Sequence, residues 1–334
     1  MTAADKVLEV RSLHVEFPVR GSHHPRRVVR AVDGVSFDVA RSEILALVGE
    51  SGCGKTTIAQ AVMRLVEITS GQIVSSGSDL ASLKGRELRR ARRQFQMIFQ
   101  DPFSSLDPRK TVYDTVVEPL VIHGVGADEA DRRRRVLEAL DFAHLRPAER
   151  LADRYPHELS GGQRQRVAIA CAVVLEPALV VADEPVSMLD VSAQAGILRL
   201  MLDLRDRLGV SYLFITHDLS VAWVLADRIA VVYLGRIVEI GPVADLVSAP
   251  AHPYTRALLA AADEASAASR SARTLRGETP SAVDIPAGCR FRPRCPLYSE
   301  LGEPEVCQTD DPALSSVAAQ SGRQVACHFS EENP

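Results

Sequence analysis

A run of nine residues, GESGCGKTT at 49–57, constrains this chain more than any other feature. It fits the spacing G-x-x-x-x-G-K-[ST], follows the apolar stretch ILALV and opens the helical pattern TTIAQAVMRLV. A strand, a glycine loop and a helix in that order bring backbone N–H groups and a helix N-terminus to one small anion. The glycines let the backbone curl around phosphate oxygens, Lys55 reaches the β- and γ-phosphates of a nucleotide, and Thr56 holds Mg²⁺. The candidate cradle is Gly49, Glu50, Ser51, Gly52, Cys53, Gly54, Lys55, Thr56 and Thr57. Cys53 fills a slot that asks mainly for a small side chain and is given no redox role.

Short apolar runs recur downstream as LVVADE, SYLFITHD and RIAVVYLG, separated by helical patterns such as SAQAGILRLMLDLRDRLG. Strands buried on both faces and alternating with helices predict a mostly parallel, doubly wound α/β sheet. An alternating first strand is expected at 7–17, followed by a turn-like insert, PVRGSHHPRR. Residues 101–158 change to a mainly helical pattern and are read as a helical subdomain inserted in the α/β core. Its clearest helix, ADRRRRVLEALDFAHL, carries four arginines, but Asp128, Glu129 and Asp131 beside them mark a solvated face. The net charge of −4 and pI near 6.2 also argue against a nucleic-acid binder. The longest apolar stretch, LSVAWVLADRIAVVYLG, is broken by Asp227 and Arg228 and falls short of the roughly 20 residues a membrane span needs. With no signal peptide at the N-terminus, the chain is expected to be cytosolic, where structural disulfides are disfavoured. After Pro253, AADEASAASRSARTLRGE reads as a mobile connector leading to a cysteine-bearing tail. The expected division is 1–250 for the α/β domain and 251–334 for a small extension.

Two further segments belong with the phosphate loop. ALVVADE at 178–184 is an apolar strand ending in two acids: Asp183 suits the Mg²⁺ shell and Glu184 suits polarising an attacking water. LSGGQRQR at 159–166 puts Ser160, Gly161, Gly162 and Gln163 at the start of a helix, a second surface of backbone amides for an anion. Two phosphate-binding helix starts for one kind of nucleotide are reconciled by a head-to-tail dimer. Each ATP then lies between the loop of one subunit and the LSGGQ segment of the other.

Taken in order, the motifs resemble the ATP-binding subunit of an ABC transporter. They are the loop at 49–57, Gln100 in MIFQDP, LSGGQ at 159–163, the acidic strand at 179–184, SMLD at 187–190 and His217 in FITHD. The resemblance implies a P-loop NTPase cassette with a parallel core and a helical subdomain. It further implies that Gln100 senses Mg²⁺ and couples to the permease, that Asp190 crosses the dimer interface, and that His217 contacts the γ-phosphate. Phe17 is read as the residue that stacks on adenine, the alternative being an ordinary core phenylalanine. QDPFSSLDPR, YPHELSGGQRQR, EPVSMLDVSAQ and HPYTRALLAA narrow the resemblance to the oligopeptide/dipeptide import subfamily. That implies two separate permease subunits, a second ATPase subunit (identical or a paralogue), an extracytoplasmic substrate-binding protein, and a place on the cytoplasmic face of the membrane. Cys171 and Met188 depart from the family pattern, which has Arg and a small residue there, and both are assigned near the dimer interface. The competing class is a non-transport ABC ATPase of DNA repair or translation. Those proteins carry long insertions, paired cassettes or N-terminal clusters, and this chain has one uninterrupted cassette.

Four of the six cysteines lie in the tail, spaced Cys289-x₅-Cys295-x₁₁-Cys307-x₁₉-Cys327. The spacing fits neither tight zinc knuckles nor a ferredoxin run and leaves the metal open. The subfamily resemblance implies a 4Fe–4S cluster on these four; the x₁₁ gap is longer than the family's, and His328 is the alternative ligand to Cys307. Arg290, Arg292 and Arg294 are expected to offset the negative charge of the thiolates.

Overall fold

The computed structural model describes residues 6–19, 27–75, 77–101, 106–263, 279–317 and 322–330. The proposed connector at 264–278 and most of the turn-like insert at 20–26 lie outside the described residues. Two compact units emerge, one of residues 1–8, 38–43 and 74–215, the other of 9–37, 44–73 and 216–334.

The first unit is built on parallel strands β6 (Phe95–Ile98), β7 (Leu179–Asp183) and β8 (Ser211–Thr216), with β7 between the other two. Every residue of β7 and β8 is buried, as continuous apolar runs require of strands covered on both faces. Its helices are α2 (Gly85–Ala91), α3 (Val112–His123), α4 (Glu129–Phe142), α5 (Ala148–Ala152), α6 (Gly161–Val173) and α7 (Val191–Leu208). The helical segment has local causes. Thr111 and Asp114 form a capping box at the start of α3, which ends at Gly124 in the left-handed conformation. Asp128 caps α4, which buries Val136, Ala139 and Leu140 on one stripe. The arginines of α4 do form a solvated face: Arg134 bridges Asp131 and Glu138, and Arg135 joins Asp131. Gly209, at φ 68°, ends α7 one residue before the limit read from the sequence.

The second unit carries most of β1 (Lys6–Pro18) and β2 (Val28–Ala40), the start of β4 (Ser70–Ser75), and β3 (Ile44–Val48) beside β9 (Arg228–Tyr233). β3 and β9 are parallel, but β10 (Arg236–Pro242), β12 (Gln324–Val325) and β11 (Ser315–Ser316) add to β9 in antiparallel succession. The short β5 (Ser78–Asp79) pairs with the end of β4. The β9–β10 hairpin was not read from the sequence. It turns through Leu234 and Gly235, both at positive φ, the geometry of a two-residue hairpin loop with leucine where glycine or asparagine is usual. The helices of this unit are α1 (Lys55–Val62), α8 (Leu219–Leu225), α9 (Val243–Ser248), α10 (Pro253–Asp263), α11 (Pro296–Glu300) and α12 (Val306–Thr309). α1 is shorter than the sequence pattern: Arg64 sits at φ 53°, which stops the helix.

Candidate functional site

The phosphate loop lies in the second unit. Val48 ends a fully buried strand and Lys55 starts α1, so the six residues between must turn sharply. Gly49 and Gly54 make the turn possible. A Cβ on Gly49 would lie 2.3 Å from the Val232 carbonyl oxygen, and one on Gly54 would lie 2.3 Å from that of Ala31. Both are at positive φ, which favours glycine a second time. Ser51, Gly52 and Thr56 stay exposed, while Lys55 is buried. Its ammonium donates to the carbonyl oxygens of Gly49 at 2.7 Å and Glu50 at 2.9 Å, arching back over the loop. Cys53 is buried and burial pushes its thiol pKa up, so it stays an inert small side chain.

Glu50 is used differently from its neighbours. Its N–H donates to the Tyr254 hydroxyl at 2.9 Å, and its carboxylate receives Arg294 and the Thr279 hydroxyl. The Arg294 hydrogen bonds, ahead of the opposing effect of burial, hold that carboxyl below the usual range. Phe17 lies near the end of β1, partly exposed, and His217 is exposed just after β8. Asp218, the next residue, caps α8.

The acidic strand lies in the first unit. Parallel pairing of β6 with β7 sets Ile98 opposite Ala182, which places residue 100 across from residue 184. Gln100 Nε2 donates to Glu184 Oε2 at 3.0 Å. Asp183 is buried at the strand end. Glu184 sits at φ 46°, a left-handed conformation unusual for glutamate, and its N–H donates to the Ile215 carbonyl of β8 at 2.9 Å. Such a backbone persists only where surrounding bonds enforce it, and it fixes where the carboxylate points.

The LSGGQ segment starts α6 as the sequence suggested. Ser160 is the N-cap, and its side chain and that of Gln163 close a reciprocal capping box. The N–H groups of Gly161 and Gly162 belong to the first turn, which an α-helix cannot satisfy internally. Asp190 caps α7, accepting from the Ala193 N–H at 2.9 Å and the Ser192 hydroxyl at 2.7 Å. Met188 and Val191 beside it are exposed apolar side chains, 57% and 82% accessible. Cys171 turns inward instead, its sulfur 3.6 Å from the Thr115 carbonyl oxygen of α3.

The four tail cysteines face one small cavity, lined also by His252, Phe291, Leu297, Tyr298, His328 and Phe329. All four are free thiols. Burial raises their pKa values, Cys289 to about 12 and Cys327 to about 11. Among the described residues, no three His, Cys, Asp or Glu side chains converge closely enough to hold a single metal ion. The role expected of the arginines is corrected for Arg290 and Arg294. Arg290 donates to Asp33, to the Leu234 carbonyl at 2.8 Å and to Asp311 at 3.0 Å, and Arg294 is committed to Glu50. Only Arg292 lines the cavity. The stretch CRFRPRC therefore faces two ways. Phe291 is buried among Tyr233, Tyr254 and His252 with ring centroids 5.3–5.6 Å away, and Arg290 and Arg294 reach past it.

Loop, acidic strand and LSGGQ helix together define a P-loop ATPase of the ABC class. A family model described as ABC transporter matches residues 32–187, and one described as the oligopeptide/dipeptide transporter C-terminal region matches 238–300. A Brucella ovis protein provisionally named a peptide import ATP-binding protein is 48% identical over 96% of this chain and 97% of its own. The Bacillus subtilis oligopeptide transport ATP-binding protein AppF is 43% identical over 98% of this chain and 99% of its own. A solved dimeric ATP-binding cassette in a post-hydrolysis state, bound to ADP and Pi, matches with a TM-score of 0.63. It is 29% identical and covers 71% of this chain and 98% of its own. The chain belongs to the ATP-binding subunits of ABC transporters, in the oligopeptide/dipeptide branch. No helix among the described residues is long and apolar enough to cross a membrane.

Proposed function

We propose that this ATPase powers peptide uptake through two separate permease subunits, fed by an extracytoplasmic substrate-binding protein. The carrying observation is one chain that joins the ABC cassette to the oligopeptide/dipeptide extension. The subunit acts from the cytoplasmic face of the membrane as a peripheral protein, paired with a second cassette, itself or a paralogue. The exposed Met188 and Val191, flanking Asp190, fit a face covered by that partner. The helical stretch 101–158 is the assigned permease-docking surface.

In this reading ATP is bound through the 49–57 loop, with Lys55 on the β- and γ-phosphates and Phe17 on adenine. Thr56, Asp183 and Gln100 hold Mg²⁺, whose charge offsets that of the phosphates. Glu184, oriented by its fixed backbone and by Gln100, takes the proton of the attacking water, and His217 contacts the γ-phosphate. Ser160, Gly161, Gly162 and Gln163 of the partner cassette cover the opposite side of the nucleotide, with Asp190 at the junction. Closing two cassettes on two ATP molecules moves the permease, and phosphate release resets it.

The cysteine cavity is proposed to hold a 4Fe–4S cluster on Cys289, Cys295, Cys307 and Cys327. Four thiols around one largely apolar cavity suit a cubane, which keeps its ligands farther apart than one tetrahedral ion does. When bound it would draw the thiols into their thiolate form and staple the tail. Arg292 would face it. Two experiments test these readings. Purification from membranes should recover two permeases and a second ATPase, and recovery of ribosomes or DNA instead would refute the transport role. Anaerobic protein should be brown, with iron and acid-labile sulfide in nearly equal amounts, and a colourless preparation with one zinc per chain would refute the cluster.

A further inference from the structure

The C-terminal extension grips the phosphate loop at one residue from three directions. Arg294, buried to 6% exposure, makes a two-pronged ion pair with Glu50: Nη1 to Oε2 at 2.7 Å and Nη2 to Oε1 at 2.9 Å. Thr279 donates its hydroxyl to the same carboxylate at 2.7 Å, and Tyr254 accepts the Glu50 N–H. Glu50 directly follows Gly49, where the strand gives way to the loop. The Arg294 guanidinium also lies 5.9 Å from the centroid of the Tyr233 ring, so its plane is braced on a buried aromatic.

A second arm supports the other end of the loop. Arg290 bonds the carboxylate of Asp33 and the carbonyl of Leu234. Asp33 donates its N–H to Gly235 at 2.9 Å, and Gly235 donates its N–H to the Cys53 carbonyl at 2.8 Å. The left-handed Leu234–Gly235 turn, on which Gly54 also rests, is thereby fixed by a residue of the extension. Nucleotide binding relies on loop amides held in position before phosphate arrives, so a brace on both ends lowers the ordering cost of binding.

We infer that Arg294 is a positioning residue for the phosphate loop, and that through its pair with Glu50 the extension sets nucleotide affinity. Arg294 immediately precedes Cys295, so order at the cysteine cavity passes to Glu50 through one peptide bond. The inference rests on the ATPase assignment and holds whatever the cysteines bind.

The test is a double-mutant cycle on the full chain with Arg294→Gln, Glu50→Gln and the pair, reading Kd for ATP by equilibrium titration and kcat and KM in the assembled transporter. Each single variant should weaken ATP binding at least tenfold and raise KM in parallel, with kcat of Arg294→Gln within twofold of the parent. The double variant should be no weaker than the worse single one, because both remove the same contact. Arg294→Lys, which keeps the charge but not the fork, should fall between parent and Arg294→Gln. Glu50→Gln breaks the same contact from the loop side, so a matching loss does not depend on a substitution within the extension. Kd values within twofold of the parent for both singles would overturn the inference, as would losses that multiply in the pair. A fall in kcat with Kd unchanged would overturn it too.

Discussion

Glu239 gives the sharpest test of how the tail is held. It is fully buried on β10, and its carboxylate accepts Arg323 Nη2 at 2.6 Å and Nε at 3.0 Å, and the N–H groups of Ala251 and His252 at 3.0 Å each. Arg323 is itself 2% exposed and also donates to the Ala249 carbonyl. One carboxylate thus joins β10, the segment entering α10 and the segment entering β12. Glu239→Leu keeps the bulk and removes the acceptor. Stranding one partner of a buried ion pair costs about 3–5 kcal/mol. The two N–H groups deprived of this acceptor add about 1–3 kcal/mol each if the site stays closed, so opening of the tail becomes the easier response. The reporter is hydrogen exchange at Ala326, whose N–H donates to the Val238 carbonyl at 2.8 Å. At about 1.4 kcal/mol per decade, exchange should quicken by roughly a few hundred- to a few thousandfold. Adding Arg323→Met removes the stranded charge and should recover about tenfold or more of that loss. The reasoning fails if Glu239→Leu accelerates exchange less than about tenfold, or if the double variant exchanges as fast as the single.

Other substitutions separate the parts of the site. Lys55→Ala should abolish ATP binding by the isolated subunit, whereas Ser160→Arg should leave it intact and block ATP-induced dimerisation; equal loss of binding in both would refute a two-subunit site. Gly54→Ala forces a methyl to within 2.3 Å of the Ala31 carbonyl at φ 109°, and calorimetry should find no ATP binding; normal affinity would show that the loop yields. Cys295→Ser should bleach anaerobic protein and expose the tail to protease while the cassette still binds ATP, more weakly than the parent. Colour and protease resistance equal to the parent would remove Cys295 from the ligand set.

What the sequence discloses and what it hides divide along contact distance. The phosphate loop is legible because its chemistry is local: Gly49, Gly54 and Lys55 act within a few residues of one another. The helix start at Ser160 is legible for the same reason, since Ser160 meets a residue three positions on, whereas the capping role of Asp190 is known only from the fold. The Gln100–Glu184 contact follows from a parallel strand pair, but the register Ile98↔Ala182 is known only from the fold. Arg294 was misread because its partner, Glu50, lies 244 positions away. Three arginines between two cysteines suggest charge compensation, and nothing in the spacing says that alternate side chains face opposite ways. The β9–β10 hairpin was missed because Leu234 in a left-handed turn gives no glycine or asparagine signal at that position. The arginine that fixes the Leu234 carbonyl comes from 56 residues downstream.

ATP hydrolysis by this subunit, with Glu184 as the base, is proposed to drive peptide uptake. The direct measurement is ATP turnover and uptake of a labelled peptide by proteoliposomes holding both permeases and both cassettes. These are supplied with binding protein and ATP, and parent is compared with Glu184→Gln. The parent should accumulate peptide only with ATP. The variant should bind ATP normally, turn it over about 10²–10⁴ times more slowly, and accumulate no peptide. Turnover and uptake by Glu184→Gln close to those of the parent would contradict that proposal.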